Sequence, residues 1–256
     1  MIILDDASTW DRHIHEVILE NLSKINDEIT NMRIAFSDDP YGSAFVNGSM
    51  SNYNAVVDML SVMLNDFSIR AYHCTRVMDF NEIALNGLRK LNIFDHCDYI
   101  FKILRKCSED YDFVHQNVIK ALGKYKDNRE NMVWFVLNTE LIFDRGCYWF
   151  YNYFGGEAFR RIIEAEFCED ISNKIIKTIS TIGSPCFVEM EIPIQDIENY
   201  KISGISKQMI DHYLKLEFGE HAGHINSKLE GYIKRDVKAA EILQIYDVSK
   251  LLPSFY

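Results

Sequence analysis

The chain has 256 residues, long enough for one elaborated domain or for a domain with a helical appendage. With 48% hydrophobic and 13% aromatic residues and only 4 prolines it can build a large core, so its composition excludes intrinsic disorder. The 38 acidic against 27 basic residues give a formal net charge of −11, which disfavours broad, sequence-independent binding to phosphate backbones.

The opening MIILDDASTW has no basic region followed by an apolar stretch, so no secretory signal is expected there. Nowhere do 18 apolar residues run together, and the expected location is the cytoplasm, without a membrane partner. From Trp10 to about Ala35, Ile14, Val17, Ile18, Leu22, Ile25, Ile29 and Met32 recur at three- and four-residue spacing. That pattern predicts an amphipathic helix, with Ser8 or Thr9 as its N-cap. Ser37 to Asn52 carries Asp, Pro, Gly, Ser and Asn at turn-forming density and predicts a loop. A second helix is expected from about Tyr53 to Phe67, which closes an N-terminal helical region over residues 1–68.

From residue 69 to 256 the pattern changes to short strands separated by helices. Ile69 to Thr75 reads as a strand, followed by a helix with Asp79 at its cap and Gly87 at its end. Two helices are expected between Asp95 and Lys126, and Asn131 to Asn138 is an apolar run of strand length, buried on both faces. Gly155 to Ser180 predicts one long helix and Cys186 to Pro193 an alternating strand. Ser206 to Phe218 predicts another helix and Ala239 to Val248 a closing strand. The class is α+β.

The six cysteines, Cys74, Cys97, Cys107, Cys147, Cys168 and Cys186, form no C-x-x-C pair and are expected to be reduced, buried thiols. His221 and His224 in HAGH have no third ligand nearby in sequence, so no metal is expected. The acid-dense SEDYD, Ser108 to Asp112, reads as a solvated helix start rather than a nuclease metal site. The chain contains no G-x-G-x-x-G, no G-x-x-x-x-G-K-[ST] and no G-x-S-x-G.

Three segments hold the unusual polar residues. The first is YHCTR, with His73, Cys74, Thr75 and Arg76. The second is GCYWFYNYFGGE, which crowds Tyr148, Trp149, Phe150, Tyr151, Tyr153 and Phe154 ahead of Glu157. The third is VKAAEILQIYDV, where Glu241 heads an apolar run. Each has an ordinary structural reading. A lone strand histidine is usually a hydrogen-bonded core residue, six large rings bury well without a ligand, and Glu157 suits the first turn of a helix. An acid beside ILQI costs several kcal/mol unless paired, for which Lys238 or Arg235 would serve.

Taken together and in this order, the three segments resemble the ADP-ribosyltransferase superfamily in its His-Tyr-Glu form. YHCTR followed by IALNGL is similar to the family's histidine strand and Gly-Leu helix. GCYWF is similar to the Gly-x-Tyr-Phe of the poly(ADP-ribose) polymerase-like members, and VKAAEIL to the closing strand of the DarT group, which modifies DNA bases. The resemblance spans roughly residues 69–248. It departs from the family at Cys74, where many relatives carry glycine, and in lacking Glu-x-Glu or Gln-x-Glu at the third motif, which speaks against arginine-directed transfer.

The resemblance implies a split β-sheet core that consumes NAD as substrate without a metal. It also implies transfer of ADP-ribose to a protein or nucleic-acid acceptor, in the setting of a toxin or antiviral defence effector. Glu241 would be the catalytic acid, with Glu157 as second candidate. His73 would hold the adenosine-side ribose, the Cys74 backbone the carboxamide, and Thr75 the ribose and its own strand. Tyr148 would stack on nicotinamide, with Tyr151 and Tyr153 as rivals, and Arg76 would take a phosphate or a structural carboxylate. NAD hydrolysis is a related outcome. A non-catalytic, antitoxin-like module that keeps the fold and binds a helical partner through residues 1–68 is the alternative from another class.

Overall fold

The computed structural model describes residues 1–38, 50–106, 111–122, 129–219 and 229–251. Residues 39–49 of the expected loop, Cys107, residues 108–110 of the acid-dense segment, and His221 and His224 lie outside these. The described chain is α+β: nine α-helices and a five-stranded sheet. It divides into two compact units, Met1–Arg70 with Ile192–Gly231, and Ala71–Glu191 with Tyr232–Tyr256. A division at 68/69 does not anticipate that residues 192–231 return to the first unit.

The first unit packs three helices, α1 (Arg12–Asp38), α2 (Ser51–Leu64) and α9 (Asn199–Phe218). The stripe expected on α1 is buried at Ile14, Ile18, Leu22, Ile25, Ile29 and Met32. Helices α2 and α9 pack against α1 and bury Val56, Val57 and Leu60, and Ile205, Met209 and Leu214, respectively. The cap of α1 is Asp11, not Ser8 or Thr9. Asp11 Oδ1 accepts from His13 N at 2.8 Å, whereas Ser8 and Thr9 are held in a preceding 3-10 turn by Asp6.

Helix α2 has methionine at its N-cap, which offers no acceptor. Glu28 of α1 supplies one instead, accepting from the backbone N–H groups of Asn52 at 3.1 Å and Tyr53 at 3.0 Å and from Asn52 Nδ2 at 2.7 Å. Partial burial raises the Glu28 pKa, but these bonds outweigh it and hold the group below its ordinary 4.5. A carboxyl whose folded pKa is depressed stabilises the fold above its unfolded pKa and loses that contribution as pH falls through the folded value. Glu28→Gln is therefore expected to cost about 1 kcal/mol at neutral pH. Melting curves of the two proteins should converge on acidification below pH 4.5.

The second unit carries most of the sheet, in the order β4-β2-β1-β3-β5. Its strands are β1 (Ser68–Val77), β2 (Val133–Val136), β3 (Ser184–Pro193), β4 (Glu230–Ile233) and β5 (Ile242–Asp247). β1 pairs antiparallel with β2, Tyr72 opposite Val136, and β3 antiparallel with β5, Phe187 opposite Tyr246. Helix α3 (Phe80–Asn86) begins at Asp79, whose side chain accepts from Asn81 N, and ends at Gly87, as its sequence predicts. The two helices expected next are α4 (Ile93–Leu104) and α5 (Tyr111–Leu122).

The structure departs from the expected elements at two places. Gly155 to Ser180 is not one helix but α7 (Gly156–Glu166) and α8 (Glu169–Ser180), broken at the extended Phe167 and Cys168. Both pack with α4 and α5 around Phe101, Phe159, Ile162 and Ile175. The closing strand begins at Ile242 rather than Ala239, because Ala239–Glu241 forms a 3-10 turn. None of the described cysteines forms a disulfide; Cys74, Cys97, Cys147 and Cys186 are buried, whereas Cys168 is exposed.

Candidate active site

Every candidate residue lies in the second unit. His73 sits on β1, and its Nδ1 is 2.7 Å from the carbonyl oxygen of Trp134 on β2. A carbonyl can only accept, so Nδ1 carries the proton and a neutral ring presents Nε2 as an acceptor. Burial lowers the pKa of His73 and the bond to Trp134 only partly offsets it, which keeps the ring neutral at pH 7. Among the described residues Nε2 has no hydrogen-bond partner.

The next residues of β1 face inward or anchor structure. Cys74 is buried, with its sulfur accepting from Tyr151 Oη at 3.0 Å. Contact with Cys147 and burial push its thiol well above the ordinary range, so Cys74 offers a ligand its backbone only. The Thr75 hydroxyl lies 3.5 Å from Arg76 O, too long for a strong bond. Arg76 donates to three carbonyls, Ile182 at 2.8 Å, Tyr151 at 2.8 Å and Gly183 at 2.6 Å. Its guanidinium ties β1 to the end of one helix and the start of β3, and a phosphate would have to displace those bonds.

The aromatic run is the helix α6 (Arg145–Asn152) and the turn after it. Helical spacing sends Cys147 and Tyr151 into a core with Tyr72, Cys74, Val136 and Ile142. Tyr151 is 0% exposed and its ring has no face for a ligand, so it is a core residue and not a rival for nicotinamide stacking. Tyr148 is half-buried on α6. Tyr153 stacks on the exposed Trp149 at 6.0 Å, with the Arg160 guanidinium 4.2 Å over the Trp149 ring.

The two acids are both engaged. Glu157 is in the first turn of α7, bonded to Arg129 at 2.7 Å and to Arg161. Arg129 in turn lies over the rings of Trp134 and Phe150, so Glu157 anchors the aromatic helix. Glu241 ends the 3-10 turn before β5 instead of sitting in the strand. Arg235, one of the two partners its sequence suggests, grips it in a bidentate pair, Nη2 to Oε1 at 2.7 Å and Nη1 to Oε2 at 2.8 Å. Lys238 N donates to Oε2 at 2.7 Å.

The structure joins the first motif to the second through Cys74–Tyr151 and Arg76–Tyr151. It joins the helix of the first motif to the turn of the third through Leu88 and Val237, which exchange backbone bonds at 2.9 and 2.8 Å. No hydrogen bond links His73 to Glu241 or Glu157. The part played by Trp134 has no sequence signal, because it acts through its carbonyl.

Among the described residues no group of three or more His, Cys, Asp or Glu could hold a metal ion, and no helix is long and apolar enough to cross a membrane. No protein-family model, curated protein or solved structure matches the chain.

Proposed function

We propose that the second unit, Ala71–Glu191 with Tyr232–Tyr256, is an ADP-ribosyltransferase of split-sheet type, which breaks the nicotinamide–ribose bond of NAD and passes ADP-ribose to a protein or nucleic-acid acceptor. The observation that carries this reading is His73. Its ring is locked by the Trp134 carbonyl with Nδ1 protonated, and Nε2 is left as an acceptor for a ribose hydroxyl. The backbone bonds between Leu88 and Val237 support it, because they fix the helix that follows the histidine strand against the turn that bears Glu241. In this reading the Glu241 carboxylate faces the positive charge that develops on the ribose as nicotinamide leaves, an electrostatic stabilisation of the kind seen in glycoside cleavage. Tyr148 and Tyr153 remain the candidates for stacking on the nicotinamide ring.

The test is nicotinamide release from NAD with cell lysate as acceptor. Glu241→Gln is expected to lower the rate about a hundredfold, whereas Glu157→Gln, which touches a structural pair, should leave the rate per folded molecule unchanged. If the wild-type protein neither binds NAD nor releases nicotinamide, the enzyme reading fails.

One observation favours a second reading. A glutamate whose two oxygens are both gripped by Arg235 is also what a purely structural turn would show, and a non-catalytic module that keeps this fold would need nothing more. NAD binding without nicotinamide release, unaltered by Glu241→Gln, is the outcome that selects it.

A further inference from the structure

We infer that Arg235 is the positioning residue for Glu241, and that the clamp leaves this carboxylate one acceptor position, on Oε1, which can take a ribose hydroxyl but not an acceptor's proton as well. The inference rests on the ADP-ribosyltransferase reading and adds a residue and a division of labour to it.

The count of lone pairs carries the argument. An ionised carboxylate has about four acceptor positions, two on each oxygen. Oε2 receives Arg235 Nη1 at 2.8 Å and Lys238 N at 2.7 Å, which fills it. Oε1 receives Arg235 Nη2 at 2.7 Å alone. Glu241 has no other hydrogen bond among the described residues, so one position on Oε1 remains. The side chain is 18% exposed and that of Arg235 31%, so the pair is partly desolvated and its geometry holds. Arg235 is itself oriented, since Nη1 also donates to Asp236 O at 2.8 Å. The fork of a guanidinium on a carboxylate fixes direction as well as charge, which a lysine at the same place would not do.

The charge of the clamp decides what Glu241 can do. Burial raises the carboxyl's pKa, but the bonds from Arg235 and Lys238 and their charges outweigh it and hold the group below its ordinary 4.5. The other ionisable groups around the turn include Lys234 and Asp236, which flank Arg235, Arg89 and Lys90, which follow the Leu88 bonded to Val237, and Glu82, the one such residue on α3. A general base works best with a pKa near the working pH, and Glu241 is far from that. It is suited to remain an anion while the ribosyl cation forms.

The C1′–N bond of NAD breaks and its electron pair leaves with nicotinamide. A lone pair of the acceptor forms the new bond to C1′, and any proton on that atom passes to water. Acceptor atoms that attack without prior loss of a proton, such as a carboxylate oxygen, fit this site. An aliphatic hydroxyl, which needs a base, does not.

The experiment follows nicotinamide release from labelled NAD with lysate as acceptor from about pH 4.5 to 9, for wild type, Arg235→Gln, Arg235→Lys and Glu241→Gln. Glu241 is titrated in parallel by carbon NMR of carboxyl-labelled protein, its signal assigned by its absence in Glu241→Gln. Arg235→Gln should move the Glu241 titration and the acid limb of activity together toward higher pH, with a several-fold loss near pH 5 that recovers by pH 8. Arg235→Lys should restore the position of the limb in part. A loss that is equal at every pH, or an unmoved Glu241 titration, overturns the inference and makes Arg235 structural. Label recovered on serine or threonine hydroxyls overturns the assignment of proton fate. Full activity of Glu241→Gln overturns the underlying reading instead, whatever Arg235 does.

Discussion

Replacing Arg76 with methionine is expected to lower the melting temperature by roughly 10 °C and, in the ADP-ribosyltransferase reading, to leave NAD binding by the surviving folded protein intact. The size follows from what the guanidinium does. Three backbone carbonyls, those of Ile182, Tyr151 and Gly183, lose a charged donor at once. A hydrogen bond from a charged group contributes about 1.5–3 kcal/mol, and a buried acceptor left without its donor costs about 1–3 kcal/mol. With partial rescue by water at this half-buried site, about 3–5 kcal/mol is lost, which corresponds to a shift of this order in a chain of this length. Arg76→Lys keeps the charge but not the planar fork, and should recover about a third of the loss. The measurement is thermal unfolding beside an NAD titration. A phosphate-binding Arg76 would show the reverse pattern, an unchanged melting temperature with weakened NAD binding, and that result would return Arg76 to the ligand site.

Arg76 also illustrates which parts of the molecule its sequence makes legible. Features decided within one element are readable. The buried stripe from Ile14 to Met32 follows from helical spacing, and α3 carries its own start and stop in Asp79 and Gly87. Features decided by contacts between elements are not. The apolar spacing of α7 runs on into α8, and it masks the break at Phe167 and Cys168, whose local sign is the acidic pair Glu169 and Asp170 in the first turn of α8. The four residues of β4 are too few to show a period, and β4 is stabilised as a strand by its neighbour in the sheet.

At the candidate site the same division holds. Helical spacing assigns Tyr151 to the core, since Cys147 and Tyr151 are four apart and Trp149, which is exposed, lies on the opposite side. By sequence Glu241 heads a strand, because ILQIYD is apolar. The deciding interactions are the bond that Lys238 N donates to the Glu241 carboxylate and the backbone bond that Glu241 N donates to Lys238 O, which together turn the chain before the strand starts. His73 was legible as a polar residue on a strand. Its tautomer was not, because a carbonyl on another strand sets it.

Gly87→Ala should be at least as damaging as the loss of Arg76, for a different reason. Gly87 has φ 75° and ψ −162°, a region that only glycine occupies without strain. A Cβ there would lie 1.9 Å from the carbonyl oxygen of Val237 and 2.9 Å from the carbonyl carbon of Lys238. Both are backbone atoms, so no side chain can swing aside. The backbone strain alone costs about 1–3 kcal/mol, and forcing the two segments apart a further 1–3 kcal/mol or so. The displaced segment is the one that exchanges backbone bonds with Leu88 and delivers Lys238 N to Glu241. Gly87→Ala should therefore lower the melting temperature by roughly 10 °C and speed hydrogen exchange at the amides of Leu88 and Val237. In the ADP-ribosyltransferase reading it should also reduce nicotinamide release in the fraction that stays folded. Retained protection at Leu88 and Val237, with a melting temperature near that of wild type, would show that the two segments separate at little cost. The α3 terminus could not then be what holds the Glu241 turn in place.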